Sequence, residues 1–380
     1  MAKMADADPP IIARIAPGVC SIDADVWDRL AGPNDPFLSH AFLSLLEDSG
    51  SVGPGTGWQA APILIDGPDG AIAGALPAYL KGHSQGEYVF DHGWAEAYEH
   101  AGGDYYPKLQ IAVPFTPVPG RRLLGANSAA LIGAAEAVVA QNGLSSAHAT
   151  FVVDDQLDAF RAAGWLIREG VQFHFANPGY QDFEDFLGAL SSRKRKAIRR
   201  ERSLANAAVT VVELTGDAIR AEHWDAMWGF YQDTGARKWG QPYLTRAAFE
   251  LMGERLADRL LLMLAFQDGV AVAGALHFIG GDALYGRYWG CAAEVPCLHF
   301  ELCYYRAIDF VIAHRLARAE AGAQGEHKLA RGYGPVPTWS AHHLPHPGLR
   351  AAVADFIARE THAVEREIGW LEEAGPFRKA

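Results

Sequence analysis

With 380 residues, 49% of them hydrophobic and 21% charged, the chain has the make-up of a globular protein and the length of two ordinary domains. Its formal net charge of -12 excludes a general nucleic-acid binder, and DNA in particular, because such binding needs a positive surface against phosphate. Four cysteines, Cys20, Cys291, Cys297 and Cys303, are too few for a disulfide scaffold and match no zinc-ligand spacing, so no metal site is expected.

The leader MAKMADADPP carries acids and no apolar segment, so it does not read as a secretory signal. No apolar run reaches bilayer length, and a cytoplasmic protein is expected. Short amphipathic helices are expected over Asp25 to Leu30 and Ser39 to Leu46, divided by Pro36 and capped by Ser39. The glycine-rich run Ser51 to Gly57 lacks the Lys-Ser/Thr ending of a P-loop and reads as a plain loop. Trp58 to Ile65 and Ala71 to Leu80 then form a hairpin about the turn Asp66 to Gly70.

That hairpin has a second copy. GAIAGALP from Gly70 to Pro77 returns as GVAVAGALH from Gly269 to His277, and each follows an apolar strand, Ala61 to Ile65 and Leu260 to Phe266. Each precedes an aromatic run read as a strand, Tyr88 to Trp94 and Tyr285 to Gly290. Beyond these come a Tyr-Tyr pair, Tyr105-Tyr106 and Tyr304-Tyr305, and a Pro-Val step, Pro117-Val118 and Pro335-Val336. An ordered series of this kind is the mark of duplication. Helices over Ala129 to Gln141 and Asp155 to Ala163 and strands over Ala149 to Val153 and Trp165 to Phe175 complete the first copy. Helices over Asp182 to Leu190, Ile219 to Thr234 and Arg246 to Arg259, a long helix Phe300 to Glu320, and a closing helix Leu349 to Glu373 belong to the second. The expectation is an α/β (α+β) protein of two similar domains, 1–175 and 176–380.

Three stretches carry chemistry. Arg193 to Arg202 holds seven Lys/Arg among ten residues in an otherwise acidic chain. On a helix Arg193, Lys196 and Arg200 share one face, and Arg195, Arg199 and Arg202 another, which suits phosphate capture by guanidinium groups. A solvated charged face is the plain alternative. Leu298 to Glu301 brings His299 and Glu301 together, with Tyr305 one helical turn beyond Glu301; Glu301 reads as a general base or as a helix-capping acid. The stretch Glu320 to His343 packs Glu326, His327, Lys328 and Arg331 into six residues and adds Trp339, Ser340, His342 and His343. It reads as a strand entering a cleft, where the first copy has only AVPFTPV. His277, at the end of a strand where the first copy has Pro77, and Asp91-His92 are the remaining candidates. No G-x-S-x-G, S-x-x-K or H-E-x-x-H motif occurs, which points away from covalent catalysis.

Asp91 to Leu124, Leu298 to Phe310 and Glu320 to His343 resemble the FemAB-like N-acyltransferases, relatives of the GNAT superfamily with two GNAT-like domains in tandem. The basic run at the head of the second unit is also similar to that of the Fem-type aminoacyl transferases. The resemblance implies transfer of an acyl group from acyl-CoA, a co-substrate rather than a bound cofactor, to a primary amine. Its ceramide synthase branch would imply a long-chain acyl group, a sphingoid-base acceptor, sphingolipid metabolism and peripheral contact with the inner membrane. The other implied readings are a tRNA-dependent transferase of peptidoglycan synthesis, against which the acidity counts, and a non-catalytic peptide- or glycan-binding module. The Q/R-x-x-G-x-G/A pyrophosphate element of GNAT enzymes is absent. On this reading the catalytic candidates are His299, Glu301, Glu326, His327 and Lys328, with Tyr288 or Tyr305 as proton donor to the leaving thiolate. Arg193, Arg195, Lys196, Arg199, Arg200 and Arg331 would hold the donor's phosphates. Asp91, His92, Tyr106, His277 and Trp289 would touch the acceptor.

Overall fold

The computed structural model describes residues 12–238, 242–322 and 326–378. The first half runs β1 (Ala13–Ile15), α1 (Ala24–Ala31), α2 (His40–Asp48), β2 (Trp58–Ala60), β3 (Ile63–Asp66), β4 (Ile72–Leu76), β5 (Ala78–Lys81), α3 (His92–His100), β6 (Lys108–Ile111), β7 (Leu124–Gly125), α4 (Ser128–Gln141), β8 (Ala147–Val152), α5 (Asp154–Ala162) and β9 (Leu166–Ala176). The second runs α6 (Phe183–Ala189), α7 (Ser192–Ala208), β10 (Thr210–Leu214), α8 (Ala221–Lys238), α9 (Arg246–Arg255), β11 (Leu260–Gln267), β12 (Val270–Ile279), β13 (Ala283–Cys291), α10 (Leu298–Phe300), α11 (Arg306–Ala313), β14 (Arg318–Glu320), β15 (Gly334–His343) and α12 (Pro347–Glu373). Helices begin where the sequence supplies a cap. Asp23, Ser39, Asn127, Asp182 and Thr245 each accept a hydrogen bond from a backbone N–H in the first turn.

An eleven-stranded sheet in the order β10-β11-β12-β13-β14-β9-β15-β8-β6-β5-β2 runs through both halves, and β1-β3-β4-β7 form a small second sheet. The large sheet is symmetric about its middle. The parallel pair β13/β14 is joined by a helical segment, as is the parallel pair β6/β8, and the antiparallel pair β9/β15 lies between them. Each half thus lends one central strand: β9 pairs with β14, and β15 pairs with β8. The tandem duplication is visible here, with the two units fused through one sheet.

The repeated hairpin has the register that its sequence implies. Gly74 faces Ile65 and Gly274 faces Leu264, and each hairpin carries an irregularity just beyond, at Ile65/Asp66 and Ala265/Phe266. Pro77 and His277 then part ways. Proline has no N–H for the ladder. The first copy breaks there, with β4 left in the small sheet and β5 joining the large one. The second continues as a single strand, β12, through His277.

Alternation along the central strands separates two faces. Ala147, Ala149, Ala341, Phe173, Phe175 and Ala319 pack under α4, α5, α6 and α11 in the two apolar cores. The alternate positions are polar. Register places His342 opposite His148, Ser340 opposite Thr150 and Arg168, and His174 opposite Glu320, so these side chains share one face.

Three expected elements differ. Tyr88 to Phe90 is irregular, with Tyr88 at φ +58°, and His92 opens α3, so the first aromatic run is no strand. The long helix expected to Glu320 ends at Ala313, and a π-helical turn, Glu301–Tyr305, interrupts it between α10 and α11; Arg318 to Glu320 are strand β14. The Glu-His-Lys run is a 3-10 turn, Glu326–Arg331, and not a strand; β15 begins after it at Gly334.

Candidate active site

The sheet opens where β13 and β14 diverge. Their pairing ends at Tyr285 with Glu320, and beyond it β13 continues to Cys291 against β12 alone. A crevice at the carboxyl ends of parallel strands is where open α/β sheets place ligands. Here β13 also carries a bulge: Leu276 pairs with Tyr288 and His277 with Gly286, which leaves Arg287 as the extra residue. A bulge of this kind redirects a side chain. Arg287 crosses to the first half and donates to Phe115 O at 2.6 Å, while its buried Nε makes no hydrogen bond among the described residues.

Glu320 closes this crevice. It is 5% exposed, and its Oε1 receives Arg318 Nε at 2.9 Å. Its Oε2 lies 3.7 Å from His174 Nε2 and makes no hydrogen bond among the described residues. Burial pushes the carboxyl up to about 7, against the pull of Arg318. Burial also brings His174 down to about 3, and Arg318 and Lys328 add to that, so the imidazole stays neutral. Lys328, 2% exposed, donates to Gly322 O at 2.7 Å, and burial lowers its ammonium to about 8. A carboxyl and an amine both drawn toward neutrality in one crevice mark a place for proton transfer.

The other candidates beside it are structurally engaged. Glu301, fully buried, holds Arg202 through two bonds of 3.0 and 3.1 Å and lies 3.2 Å from Arg306. Arg202 also reaches Asp309 at 2.7 Å and lies over the Phe183 ring. These pairs pin the π turn to α7. Glu201 binds Arg331 at 2.9 and 3.0 Å and accepts the Tyr305 hydroxyl. Arg331 lies 3.4 Å over the Phe300 ring, and Tyr304 meets His327 Nε2 at 2.9 Å. His299 packs edge-on against Trp289. Glu326 opens the 3-10 turn, and its side chain lies outside the described residues. Replacing Arg202 by methionine is expected to cost roughly 3–5 kcal/mol, because it leaves Glu301 buried with half its counter-charge; urea unfolding measures it.

The basic helix divides its labour. Arg193, Lys196, Arg199 and Arg200 are exposed and Arg195 half-exposed, while Arg202 and Glu201 turn inward to the π turn and the 3-10 turn. Arg199 is tied to Glu184, but Arg193, Arg195, Lys196 and Arg200 make no ion pair among the described residues. The expected acceptor contacts scatter. His277 is 1% exposed, third from the end of β12 and paired with Gly286 beside the Arg287 bulge, and burial brings it down to about 4. Tyr288 packs against Tyr231 and Phe249, and burial pushes its phenol up to about 12. His92 is exposed on α3. Asp91 and Tyr106 belong to a buried network in the first half, with Lys108 at 2.5 Å from Asp91.

From Gln172, which contacts His174 at 3.2 Å, a cleft of about 220 Å³ extends over the central strands to Ser340. Its lining is mixed, with Arg168, Gln172, Thr338 and Ser340 beside Val171, Trp339 and Val364. Tyr88, Phe90 and Phe151 supply aromatic walls. Gly170 keeps the floor open, since a Cβ there would lie 3.1 Å from Thr338 Oγ1. Phe151 is the extra residue of a second bulge, between β8 and β15, with φ +54°. The distance along β9 from Arg168 to His174 is roughly 20 Å.

Glu320, His174 and Arg287 escaped sequence reasoning. Glu320 looked like the last residue of a helix, and only strand pairing across the two halves brings it to His174. The signal within reach was Gly286, a glycine inside an aromatic strand.

A family model, FemAB-like, described as peptidoglycan biosynthesis/recognition, matches residues 18–379. No curated protein sequence matches. Among solved structures, FemX is 13% identical, covering 87% of this chain and 97% of its own, with a TM-score of 0.54. The C-terminal domain of a putative lysylphosphatidylglycerol synthetase from Agrobacterium fabrum is 10% identical, covering 88% and 95%, at 0.51. L-PGS from Bacillus licheniformis is 10% identical, covering 86% and 98%, at 0.50. At these identities the likeness establishes the fold alone.

Proposed function

The chain belongs to the FemAB-like family, and from that premise we propose that it transfers an acyl group from a phosphate-bearing activated donor to the primary amine of an extended, polar acceptor. The observation that carries this reading is Glu320, a buried carboxyl with a free oxygen at the point where two parallel strands part. An amine reaches the site as an ammonium ion, and a base titrating near 7 is matched to removing its proton. As the amine attacks the acyl carbonyl, negative charge builds on the carbonyl oxygen. Arg287, left out of the ladder by its bulge, and Lys328 are the donors on hand to meet it. When the tetrahedral adduct collapses, Lys328 in its ammonium form can return a proton to the leaving group.

Acyl-CoA is the donor we favour, with Arg193, Lys196 and Arg200 as contacts for its phosphates and Arg195 beside them. Reversing these three exposed charges to glutamate is expected to raise the donor KM about tenfold or more and to flatten its dependence on salt, with kcat little changed; steady-state kinetics at two ionic strengths tests it. The resemblance to Fem-type aminoacyl transferases, together with the family's link to peptidoglycan, supports a second donor, aminoacyl-tRNA, whose phosphates the same helix suits. Arg168, Gln172, Thr338 and Ser340 give the cleft polar contacts for a peptide or amino sugar, and a sphingoid base, with ceramide synthesis and a membrane-bound acceptor, has no support in the family match. The deciding experiment supplies acyl-CoA or aminoacyl-tRNA with a lysine-containing peptide or with sphinganine and detects amide by mass spectrometry. Amide from the peptide supports the reading; amide from sphinganine alone overturns its acceptor, and no amide from any pair overturns the reading.

A further inference from the structure

The network around Asp91 takes no part in the chemistry at Glu320; its nearest member, Ser340, lies two strands and roughly 20 Å away. It begins on the cleft floor. Ser340 Oγ lies 2.9 Å from His342 Nε2, and His342 Nδ1 lies 2.7 Å from His148 Nδ1. His148 Nε2 lies 3.2 Å from the Tyr105 hydroxyl, with Ser146 Oγ at 2.8 Å, and the Tyr105 hydroxyl lies 2.8 Å from Asp91. Asp91 meets Lys108 at 2.5 Å, Lys108 meets Ser84 Oγ at 2.8 Å, and Ser84 meets the Tyr106 hydroxyl at 2.8 Å. All of these residues are buried except Tyr106, whose ring is half-exposed. Glu87, 2.6 Å from Lys108, and Lys81, 3.6 Å from Glu87, flank the chain on one side, and Arg168 faces Ser340 on the other.

Counting donors fixes the direction. Asp91, paired with an ammonium, can only accept, so Tyr105 gives it the phenol proton. The Tyr105 oxygen and the nearer Ser146 Oγ then accept from His148 Nε2–H, Ser146 giving its own proton to Ser145 Oγ at 3.0 Å, which leaves His148 Nδ1 as an acceptor. His342 must donate from Nδ1, and its Nε2 accepts from Ser340. The serine proton is therefore committed inward, and Ser340 turns only lone pairs toward the cleft.

We propose that this chain is a proton conduit between the cleft floor and solvent, and that Ser340 seats a hydrogen-bond-donating group of the ligand, an ammonium of the extended acceptor distinct from the amine that reacts at Glu320. The choice of ammonium rests on the acceptor class proposed above; the conduit does not. A proton given to Ser340 Oγ displaces the serine's own onto His342 Nε2, and the His342 Nδ1 proton moves to His148. The His148 Nε2 proton then moves to Tyr105, and the Tyr105 proton to Asp91. Lys108 releases one proton to Ser84 and takes that of Asp91, Ser84 passes its own to Tyr106, and Tyr106 gives one to water. Each carrier ends with as many protons as it began with.

The test is nitrogen NMR of the full chain labelled at histidine, before and after Tyr106→Phe, a half-exposed change that spares the fold. We expect His342 protonated on Nδ1 and His148 on Nε2. Both protons should exchange with water at least tenfold more slowly in Tyr106→Phe, and n-hexylammonium chloride should shift His342. His342 protonated on Nε2, or exchange unchanged by Tyr106→Phe, overturns the conduit. No shift with n-hexylammonium overturns the ammonium seat. None of these readings depends on transfer activity, so failure here is distinct from failure of the proposed reaction.

Discussion

Glu320→Gln is expected to lower kcat for transfer by two to four orders of magnitude, the usual worth of a positioned general base, while donor binding is kept. The same change should stabilise the fold at high pH. Glu320 holds its proton in the folded state up to about 7, whereas in the unfolded chain it releases it near 4.5. The folded state therefore binds more protons between those values, and stability falls as pH rises through that window. Above pH 7 the wild type bears the whole cost of a buried carboxylate, and glutamine does not. Urea unfolding should show the two proteins alike at pH 4 and the variant more stable at pH 8 by up to about 3 kcal/mol. Less activity with more stability is the pairing expected of a site residue; a structural glutamate would lose both.

A loss of stability as large as that of Arg202→Met is expected from Lys108→Met. Lys108 is 1% exposed and its ammonium serves Glu87 at 2.6 Å and Asp91 at 2.5 Å. Removing it strands two buried acids, at a cost of roughly 3–5 kcal/mol. The pH dependence identifies the cause. Burial works to raise Asp91, but Lys108 outweighs it and holds the carboxyl well below its usual range. Its contribution is present above the unfolded value near 3.9 and is lost as pH falls through the folded one. The gap between wild type and variant should be widest above pH 7, narrow as the stranded acids of the variant, which burial raises, take up protons, and close further below pH 4 as Asp91 of the wild type loses its charge. A gap unchanged into acid would assign the loss to packing.

Local signals in the chain specified much of this architecture. The paired GALP and GALH runs announced the duplicated hairpin, and the exchange of Pro77 for His277 marked where one strand breaks and the other continues. Caps such as Ser39 and Asp182 set helix starts. What stayed hidden depends on contacts distant in sequence. The fusion of the two sheets through β9 and β15 is invisible to periodicity, since both strands alternate as any strand would. Glu301 reads from the sequence as a general base or a helix-capping acid; whether its oxygens are free depends on Arg202, on a helix far back in the chain. Lys328 was in view but assigned to a strand, and the glycines around it in fact serve a tight turn. His148 and His342, in opposite halves, become a pair only through the β8/β15 register.

The central claim is that Glu320 removes a proton from an amine acceptor. The pH–rate profile of kcat/KM for the amine, measured in wild type and Glu320→Gln with the same donor, tests it most directly. The wild type should rise to a plateau through an apparent pKa near 7, and the variant should lack that limb and lie at least a hundredfold lower. A variant with the wild-type profile and rate would contradict the claim.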